Sequence, residues 1–396
     1  MLGAIYIGLS GMNAYSKGLQ TISNNVANLN TSGFKSMSAT FTDLFSHGGG
    51  GLTFSDDVSG DSSGNGVRIA DPFVNFKQGD LRQSDSDLDL AIKGNGFFVL
   101  LNNDKTYYAR TGQFVVDKDG FIVEQQSGYH LGILDAGGSA VAVNVDSKRT
   151  SAPNATTRIT FADNLSSSAT TATVSNIAVF DSRGGKQVWS AIFTKSATVP
   201  NEWDVTVKDA NGATIGTSTL KFIGSSVDPS TAQLVVTSNP ADADPLSITL
   251  DFSTGVTSFS AGTTSTLRAA SVDGNGVGAL VSVKADENGQ VKLSYSNEKT
   301  ELLGAVALAD FRDPQELERM GNGLYRNTGS GQMRLLASAS EGIGSIVSKQ
   351  IEASNVDLSQ EFGDLILIQR GFQASSQVVS VSNDMIQQLF GIRGQG

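Results

Sequence analysis

The chain has 396 residues, 39% of them hydrophobic and 17% charged, and a formal net charge of -11. At roughly 150 residues per domain this length predicts two or three domains, and the apolar fraction excludes wholesale disorder. The acidic balance argues against nucleic-acid binding, which needs clustered Lys and Arg. Because the chain has no cysteine, disulfides, thiolate nucleophiles and cysteine zinc sites are excluded.

Catalytic and membrane functions are disfavoured on similar grounds. His47 and His130 are the only histidines, so a two-histidine metal site would need both of them. No run approaches the ~18 apolar residues of a membrane span. The start of the chain lacks the basic residues of a secretory signal, since its first Lys is Lys17. We therefore expect no enzymatic activity, no cofactor, no metal and no membrane insertion, and any export would proceed without a cleaved signal peptide.

Residues 1–30 have apolar side chains at alternating steps of three and four, which predicts an amphipathic helix with a heptad seam. Residues 355–396 repeat the pattern every seven positions and predict a second helix. We predict that these seams mediate self-assembly, through Ile5, Met12, Leu19, Ile22, Val26 and Leu29 in the first helix and Leu358, Phe362, Leu365, Phe372, Val379, Ile386 and Leu389 in the second.

The other faces of these helices carry few charges. Residues 1–30 contain one charged residue, Lys17, and residues 355–396 contain six, whereas a solvated coiled coil has charged flanks. Several glycines also lower the intrinsic helicity of both segments. This pattern favours helices that gain neighbours on more than one side and become ordered on assembly. The alternative, an intramolecular helical hairpin that closes an ordinary domain, stays open.

The middle of the chain predicts β structure nested between the termini. The stretch from Thr31 to Pro72 has lost the helical period and contains the glycine run Gly48–Gly51, so it is predicted to be an extended connector. Beyond Phe73 the period is two, with a hairpin around Asp117–Gly120. Residues 150–290 are short Thr, Ser and Val-rich strands with turns about every ten residues, typical of a sandwich or barrel.

The predicted fold class is therefore mainly β with α-helical termini. The predicted division is a terminal helical domain of residues 1–30 and 355–396, an extended linker of residues 31–71 and 336–354, an inner β domain of residues 72–148 and 290–335, and an outer inserted β domain of residues 149–289.

Short motifs that suggest ligand binding fail on their spacing. Asp85, Asp87 and Asp89 match the first positions of a calcium loop, but Leu90 and Gly96 stand where the loop needs Gly and Glu. The G-x-G-x-x-A match from Gly274 to Ala279 leads into a predicted strand instead of a helix. We interpret the three aspartates as solvated groups at a turn and a strand.

Four blocks of the sequence together resemble the flagellar rod and hook family of axial proteins. They are Leu9–Gly11 with SNNVAN (Ser23–Asn28) and TSGFK (Thr31–Lys35), LDLAIKGNGFFVL (Leu88–Leu100), Tyr108–Val123, and IEASNVDL (Ile351–Leu358) with Gln369–Arg370 and Phe372–Gln373. The motif residues carried by the resemblance are Asn24, Asn25, Asn28, Gly33, Phe34, Lys35, Asn355, Val356, Asp357, Leu358, Gln369 and Arg370.

The length and the inserted β domain are most similar to the hook proteins within that family. The resemblance implies a subunit that polymerises into a curved, flexible tube of the extracellular flagellum and transmits torque from rod to filament. It implies as partners further copies of the chain, the distal rod protein, the hook cap, the hook-filament junction proteins and the flagellar export apparatus. The alternatives are a distal rod or other axial protein, or a secreted β-rich adhesin or carbohydrate-binding surface protein.

Overall fold

The computed structural model describes residues 2–44, 66–239, 243–329 and 332–393. The chain forms two compact units, each assembled from separate segments of sequence. The first comprises Met1–Asp146, Val283–Lys292 and Leu302–Gly396, and the second comprises Ser147–Ser282 and Leu293–Glu301. The glycine run Gly48–Gly51 and His47, singled out in the sequence, lie outside the described residues.

Two long helices bracket a succession of strands. The helices are α1 (Leu2–Ala27) and α2 (Leu358–Arg393), and three short 3-10 helices occupy Asp146–Lys148, Pro229–Thr231 and Pro314–Glu316. The strands before residue 152 are β1 (Met37–Ser38), β2 (Phe41–Asp43), β3 (Val67–Ile69), β4 (Phe73–Val74), β5 (Leu81–Gln83), β6 (Leu90–Lys93), β7 (Phe97–Asn102), β8 (Lys105–Ala109), β9 (Phe114–Val116), β10 (Ile122–Glu124), β11 (His130–Leu134), β12 (Ala140–Ala142) and β13 (Thr150–Ser151).

The later strands divide between the two units. They are β14 (Arg158–Asn164), β15 (Thr171–Phe180), β16 (Lys186–Lys195), β17 (Glu202–Lys208), β18 (Thr214–Ile223), β19 (Ser226–Val227), β20 (Gln233–Ser238), β21 (Leu246–Asp251), β22 (Val256–Thr257), β23 (Arg268–Val272), β24 (Gly278–Ala285), β25 (Gln290–Tyr295), β26 (Thr300–Val306), β27 (Leu308–Phe311), β28 (Leu317–Gly321), β29 (Leu324–Asn327), β30 (Met333–Leu336), β31 (Ser345–Ser348) and β32 (Gln350–Glu352).

The first unit is built on an antiparallel sheet in which β7 pairs with β8, β11 and β27. Its aromatic core includes Phe97, which contacts Tyr325 with ring centroids 5.6 Å apart. Four two-stranded ladders attach the connecting segments: β1 with β4, β2 with β3, β31 with β6 and β32 with β5. The strands that follow α1 and precede α2 are therefore both anchored in the same unit.

The second unit contains a ten-stranded sheet in the order β15-β16-β17-β18-β19-β22-β14-β21-β20, with β23 paired to β14. Alternate residues of β17, Trp203, Val205 and Val207, are buried while their neighbours are more exposed, as expected for a strand with one face in a core. Strands from both ends of this order contribute to one apolar core. Among the described residues the path is open, so the sheet does not close into a barrel.

One turn type recurs in both units. An Asp carboxylate accepts hydrogen bonds from the backbone N–H groups two and four residues later, and a Gly with positive φ occupies the third following position. Gly tolerates that conformation without the steric penalty of a β-carbon. The turns begin at Asp117, Asp135, Asp181, Asp209 and Asp286. The turn at Asp117 lies at the hairpin that the sequence pattern predicted around Asp117–Gly120.

The segment after α1 packs more closely than its irregular sequence suggested. Gly33, Phe34, Lys35 and Ser36 are all buried, although we expected a connector there. Their burial depends on partners more than 40 residues away in sequence, which no local pattern encodes.

Candidate functional site

The terminal helices pack against each other through glycines. A β-carbon added at Gly8 would lie 2.6 Å from Val379 Cγ2, and one added at Gly18 would lie 2.8 Å from Ile368 Cδ1. On the facing helix, a β-carbon at Gly371 would meet the Tyr15 ring at 2.5 Å. These separations are shorter than any ordinary van der Waals contact, so the glycines permit the close approach of the two backbones.

Part of the predicted seam is buried or half-buried, and its member Val379 lies against Gly8 at this contact. Ile22 is buried, and Ile5, Met12, Leu19, Val26 and Leu29 are half-buried, Leu29 lying just beyond the end of α1. In α2 the half-buried members are Leu365, Phe372, Val379 and Ile386, whereas Leu358, Phe362 and Leu389 are exposed. The intramolecular pairing left open above is thus present, and the role of these residues in self-assembly stays a prediction.

A large apolar surface remains exposed on the same helices. Leu367 is 67% exposed, and its neighbour Ile366 is also exposed. Large exposed apolar patches are typical of surfaces that bind another macromolecule. The exposed apolar side chains of the pair are Tyr6, Ile7, Leu9, Leu358, Phe362, Ile366, Leu367, Val378, Val381, Met385, Leu389 and Phe390.

A buried amide joins the two helices to the following strand. Asn25 Nδ2 donates to Glu361 Oε1 and to the Met37 carbonyl, both at 2.8 Å, and Asn25 Oδ1 accepts from the Met37 N–H at 3.0 Å. Burial raises the pKa of Glu361, Asp364 and Asp357 add to that effect, and the Asn25 hydrogen bond opposes it. Replacing Asn25 would therefore leave a buried carboxylate without its donor.

The neighbouring motif residues shape the helix ends. Asn28 Nδ2 donates to the Asn24 carbonyl at 2.8 Å, where α1 ends. Asp357 Oδ1 accepts from the N–H groups of Ser359 at 2.8 Å and Gln360 at 3.2 Å. An aspartate in this position caps the start of α2, because it satisfies N–H groups that have no partner within the helix.

A buried ionic cluster connects the segments that follow α1 and precede α2. Lys35 Nζ donates to Glu352 Oε1 at 2.6 Å and to the Lys77 carbonyl at 2.7 Å. Arg110 Nε donates to Glu352 Oε2 at 3.1 Å, and the Gly79 N–H donates to Glu352 Oε1 at 2.8 Å. Both carboxylate oxygens of Glu352 are therefore engaged, and the side chains of all three charged residues are almost completely buried.

Burial and the Arg110 guanidinium lower the pKa of Lys35 to about 8, while Glu352 acts in the opposite direction. Lys35 thus stays largely protonated at neutral pH. Two cations share one carboxylate in this cluster, and the Gly96 and Gly94 carbonyls accept hydrogen bonds from Arg110 Nη1 and Nη2. The cluster is held by hydrogen bonds as well as by charge.

Other motif residues support the same junction, meaning the buried ionic cluster of Lys35, Arg110 and Glu352 and the segments that it connects. Asn355 Oδ1 accepts from the Ser36 N–H at 2.8 Å, and Asn355 Nδ2 donates to the carbonyls of Asn75 at 2.6 Å and Lys77 at 2.8 Å. The Gly33 N–H donates to the Glu352 carbonyl at 2.7 Å. Gly33 has a φ of +66°, and a β-carbon there would contact Thr111 at 2.5 Å.

The remaining motif residues separate into two groups. Phe34 and Val356 are buried, and Phe34 lies under the Arg319 guanidinium at 5.5 Å. Leu358, Gln369 and Arg370 are exposed on α2. Sequence reasoning missed Arg110 as a member of the junction, as well as Glu352, although Glu352 stands inside the IEASNVDL block that carried the resemblance.

The aspartates rejected as calcium ligands have mixed environments. Asp89 is buried and accepts from Ser84 Oγ at 2.5 Å, contrary to the solvated position expected for it. Asp87 pairs with Lys349 at 3.1 Å and Lys284 at 3.2 Å, and the hydrogen bond from Lys349 lowers its pKa. Within the described residues no group of three or more His, Cys, Asp or Glu side chains could hold a metal ion.

No helix in the described part of the chain is both long and apolar enough to cross a membrane. The helical termini have exposed apolar side chains and are fixed to the β structure by buried polar groups.

Family comparisons cover most of the chain. Residues 5–35 match the profile described as flagella basal body rod protein, and residues 347–392 match the flagellar basal body rod FlgEFG protein C-terminal profile. Residues 91–169 match the flagellar hook protein FlgE/F/G D1 domain, and residues 144–276 match the flagellar basal body protein FlaE D2 domain.

Several curated proteins are similar over nearly the full length. The flagellar hook protein FlgE of Escherichia coli is 31% identical over 97% of this chain and 98% of its own, and that of Brucella suis is 31% identical over 99% of both. The Borreliella burgdorferi protein is 28% identical over 98% and 99%. Among solved structures, the Helicobacter pylori flagellar hook protein FlgE2 aligns with a TM-score of 0.48 and 15% identity, over 69% of this chain and 100% of that one.

Proposed function

The chain belongs to the flagellar hook protein FlgE family and is a structural subunit of the bacterial flagellar hook, and from this premise we propose how its termini act in assembly. The exposed apolar side chains of α1 and α2 pack against the same helices of neighbouring copies. The buried ionic cluster keeps both helices attached to the β structure. The subunit thereby polymerises into a curved tube that serves as a flexible joint between rod and filament.

The observation that carries this proposal is the apolar surface of the helical pair. Its members run from the first turns of α1 to Phe390 near the end of α2. Burying such side chains is favourable by about 25 cal/mol per Å² of apolar area. An isolated subunit does not gain this stabilisation, because the side chains stay in water. Because these helices carry few charges, few ionic groups lose their water on association, and the free-energy penalty of desolvation is small.

The direct test replaces an apolar side chain that makes little contact inside the subunit. Leu367→Glu should leave the subunit folded and prevent polymerisation, since it would bury a carboxylate in an apolar interface. Val235→Glu is the matched control, because Val235 is 64% exposed but lies on β20 of the second unit. Sedimentation and electron microscopy of both purified variants would show the outcome. Normal tubes from Leu367→Glu would contradict the proposal.

The finer assignments extend the same proposal. The self-assembly seam is supported by the half-buried positions of Leu365, Phe372, Val379 and Ile386, which can contact a neighbour as well as α1. The further partners are the distal rod protein, the hook cap, the junction proteins and the flagellar export apparatus. The place of the chain is the extracellular hook of the bacterial flagellum, and its role is structural, not enzymatic.

The four-part domain division also remains part of the proposal. An outer domain of residues 149–289 is supported by the separate core of the second unit. Its removal, with the ends joined by a short linker, should leave tube formation intact and alter tube curvature. Electron micrographs of tubes from the deletion variant would test this, and tubes of unchanged curvature would show that the outer domain does not influence the bend.

A further inference from the structure

Two opposite charges on the terminal helices have no counterion among the residues of their own subunit that the structure describes. Lys17 is the one charged residue of residues 1–30 and is exposed on α1. Asp364 is exposed on α2. Among the described residues neither takes part in an ion pair. If the helical pair is packed among neighbouring copies, as proposed above, both groups lose water, and a desolvated charge without a partner is strongly unfavourable.

The two groups lie on different sides of the helical pair. Asp364 lines a cavity of about 340 Å³ together with Tyr15, Leu367 and Asp357. Tyr15 also contacts Phe41, with ring centroids 5.3 Å apart, and its ring lies against Gly371 of α2. Lys17 follows Tyr15 by two positions, which turns its side chain by about 200° around the helix axis. Lys17 therefore leaves α1 on the side away from Asp364.

Lys17 has its own groove, of about 360 Å³, which it lines with Tyr6, Leu9 and Arg68. This groove combines basic and apolar side chains, whereas the cavity beside Asp364 combines acidic and apolar ones: Asp357, Glu361, Asp364 and Leu367. The exposed apolar residues Leu9 and Leu367 are next to the two charges, so each charge belongs to the surface already assigned to assembly. The two sides are thus complementary in charge and alike in their apolar content.

From this arrangement we infer that Lys17 of one copy pairs with Asp364 of the next. Complementary patches on different sides of one molecule make a head-to-tail contact, and such contacts extend into open helical polymers when they do not close into a ring. The pair fixes which side of one subunit meets which side of its neighbour, because apolar contacts alone are not directional. This inference rests on the proposed function and adds the contact that sets register.

Charge reversal tests the pair. Lys17→Glu and Asp364→Lys alone should each raise the critical concentration for polymerisation at least tenfold, measured by sedimentation. The double variant should return it to within about threefold of the unchanged protein. Asp384→Lys in place of Asp364→Lys is the matched control, since Asp384 is exposed on the same helix, and it should not rescue Lys17→Glu.

Mixing the two single variants separates a contact between copies from one within a copy. In an equimolar mixture, Lys17 of one variant meets Asp364 of the other, and Glu at 17 meets Lys at 364 across the next contact. Alternating copies should therefore polymerise at a concentration at which neither variant polymerises alone. A pair formed within one chain would be rescued in the double variant but not in the mixture, which would overturn the inference.

The failures of the two proposals are distinguishable. Single charge variants that polymerise normally, while Leu367→Glu does not, would overturn the Lys17 and Asp364 pair and leave the assembly surface in place. Rescue by Asp384→Lys would likewise overturn it. Circular dichroism at 222 nm on each variant would show that the helices remain formed, so that a loss of polymer can be assigned to the contact. Lys17→Gln and Asp364→Asn, which remove charge without reversing it, should give smaller effects in the same direction.

Discussion

The helical termini and the second unit differ in how completely they bury their large apolar side chains. In the second unit, alternate residues of long strands enter one apolar core that contains Phe161, Phe193 and Phe252. Among the described side chains of α2, the buried ones are Glu361, Ile368 and Ser382, while Leu367 and Phe390 are exposed. A helical region that leaves this many large apolar side chains exposed is incomplete as a single chain. The second unit therefore completes its core within one chain, whereas the terminal helices need further copies of the chain to cover their apolar side chains.

Fluorescence can follow this comparison because both tryptophans, Trp189 and Trp203, are buried in the second unit. Their emission reports unfolding of that unit, and ellipticity at 222 nm reports chiefly the helices of the first. A substitution that destabilises one unit should shift the unfolding transition in one of these two signals and leave the transition in the other signal unchanged.

The largest effect is expected in the aromatic core of the second unit. Phe252→Ala would remove a ring that stacks on Phe161 at 4.5 Å and contacts Phe193. The loss of buried area and the cavity left behind should lower the free energy of unfolding by about 4 kcal/mol. Urea titration should show an earlier fluorescence transition and an unchanged helical one. A joint shift of both signals would show that the two units unfold together.

A substitution in the buried ionic cluster should cause a somewhat smaller loss of stability, which is measured by the ellipticity of the helices. Glu352→Gln leaves Lys35 and Arg110 buried without a carboxylate, which should lower the free energy of unfolding of the first unit by about 3 kcal/mol. Glu318→Gln is the control within the same unit, because its pair with Arg326 is largely exposed and such pairs contribute less than about 1 kcal/mol. Equal effects of the two substitutions, measured by urea titration of the helical signal, would contradict the importance assigned to burial.

The close helix contact predicts opposite outcomes for two glycines of α2. Gly371→Ala would place a methyl group against the Tyr15 ring and should destabilise the pair by about 1 to 2 kcal/mol. Gly363→Ala has open space around it and should stabilise α2 by nearly 1 kcal/mol through helix propensity. Thermal melts at 222 nm would distinguish them. Stabilisation by both substitutions would mean that these glycines only weaken the helix.

The smallest effect is a pH dependence at Glu361. Burial raises its pKa above the ordinary value of 4.5, so its contribution to stability is complete below that value and is lost as pH rises through the higher pKa of the folded state. Glu361→Gln keeps an acceptor for Asn25 and removes the titration. We expect the variant to gain stability over the unchanged protein between pH 4.5 and 7, in melts of the helical signal. A difference that is constant over this range would contradict the assignment.

Local patterns predicted the elements whose partners are close in sequence. The hairpin around Asp117–Gly120 follows from period-two strands and a turn that Asp and Gly favour. The heptad residues Leu365, Phe372, Val379 and Ile386 indicated α2 correctly, because a helix repeats within seven positions. In both cases the information lies within about twenty residues of the element it determines.

The junction could not be predicted in this way. Lys35 and Glu352 are separated by 317 positions, and each is a charged residue that composition alone places on the surface. The resemblance drew attention to Lys35 and to the block around Glu352, but it gave no role to either. From the sequence alone, Gly8, Gly18 and Gly371 are residues that weaken the helices, because the close approach they permit depends on a partner helix that no single segment specifies.

The position of Glu352 has a consequence for the order in which this chain can fold. A polypeptide made or exported from its amino terminus presents Lys35 and Arg110 long before their shared carboxylate is available. Until then, burying either cation is unfavourable, and closing a loop of this length adds an entropic penalty of its own. The β hairpins can form as they emerge, since their contacts are local. The junction therefore forms late, after the carboxyl-terminal segment with Glu352 has become available. As a consequence, α1 and α2 pack together only when the whole subunit is present.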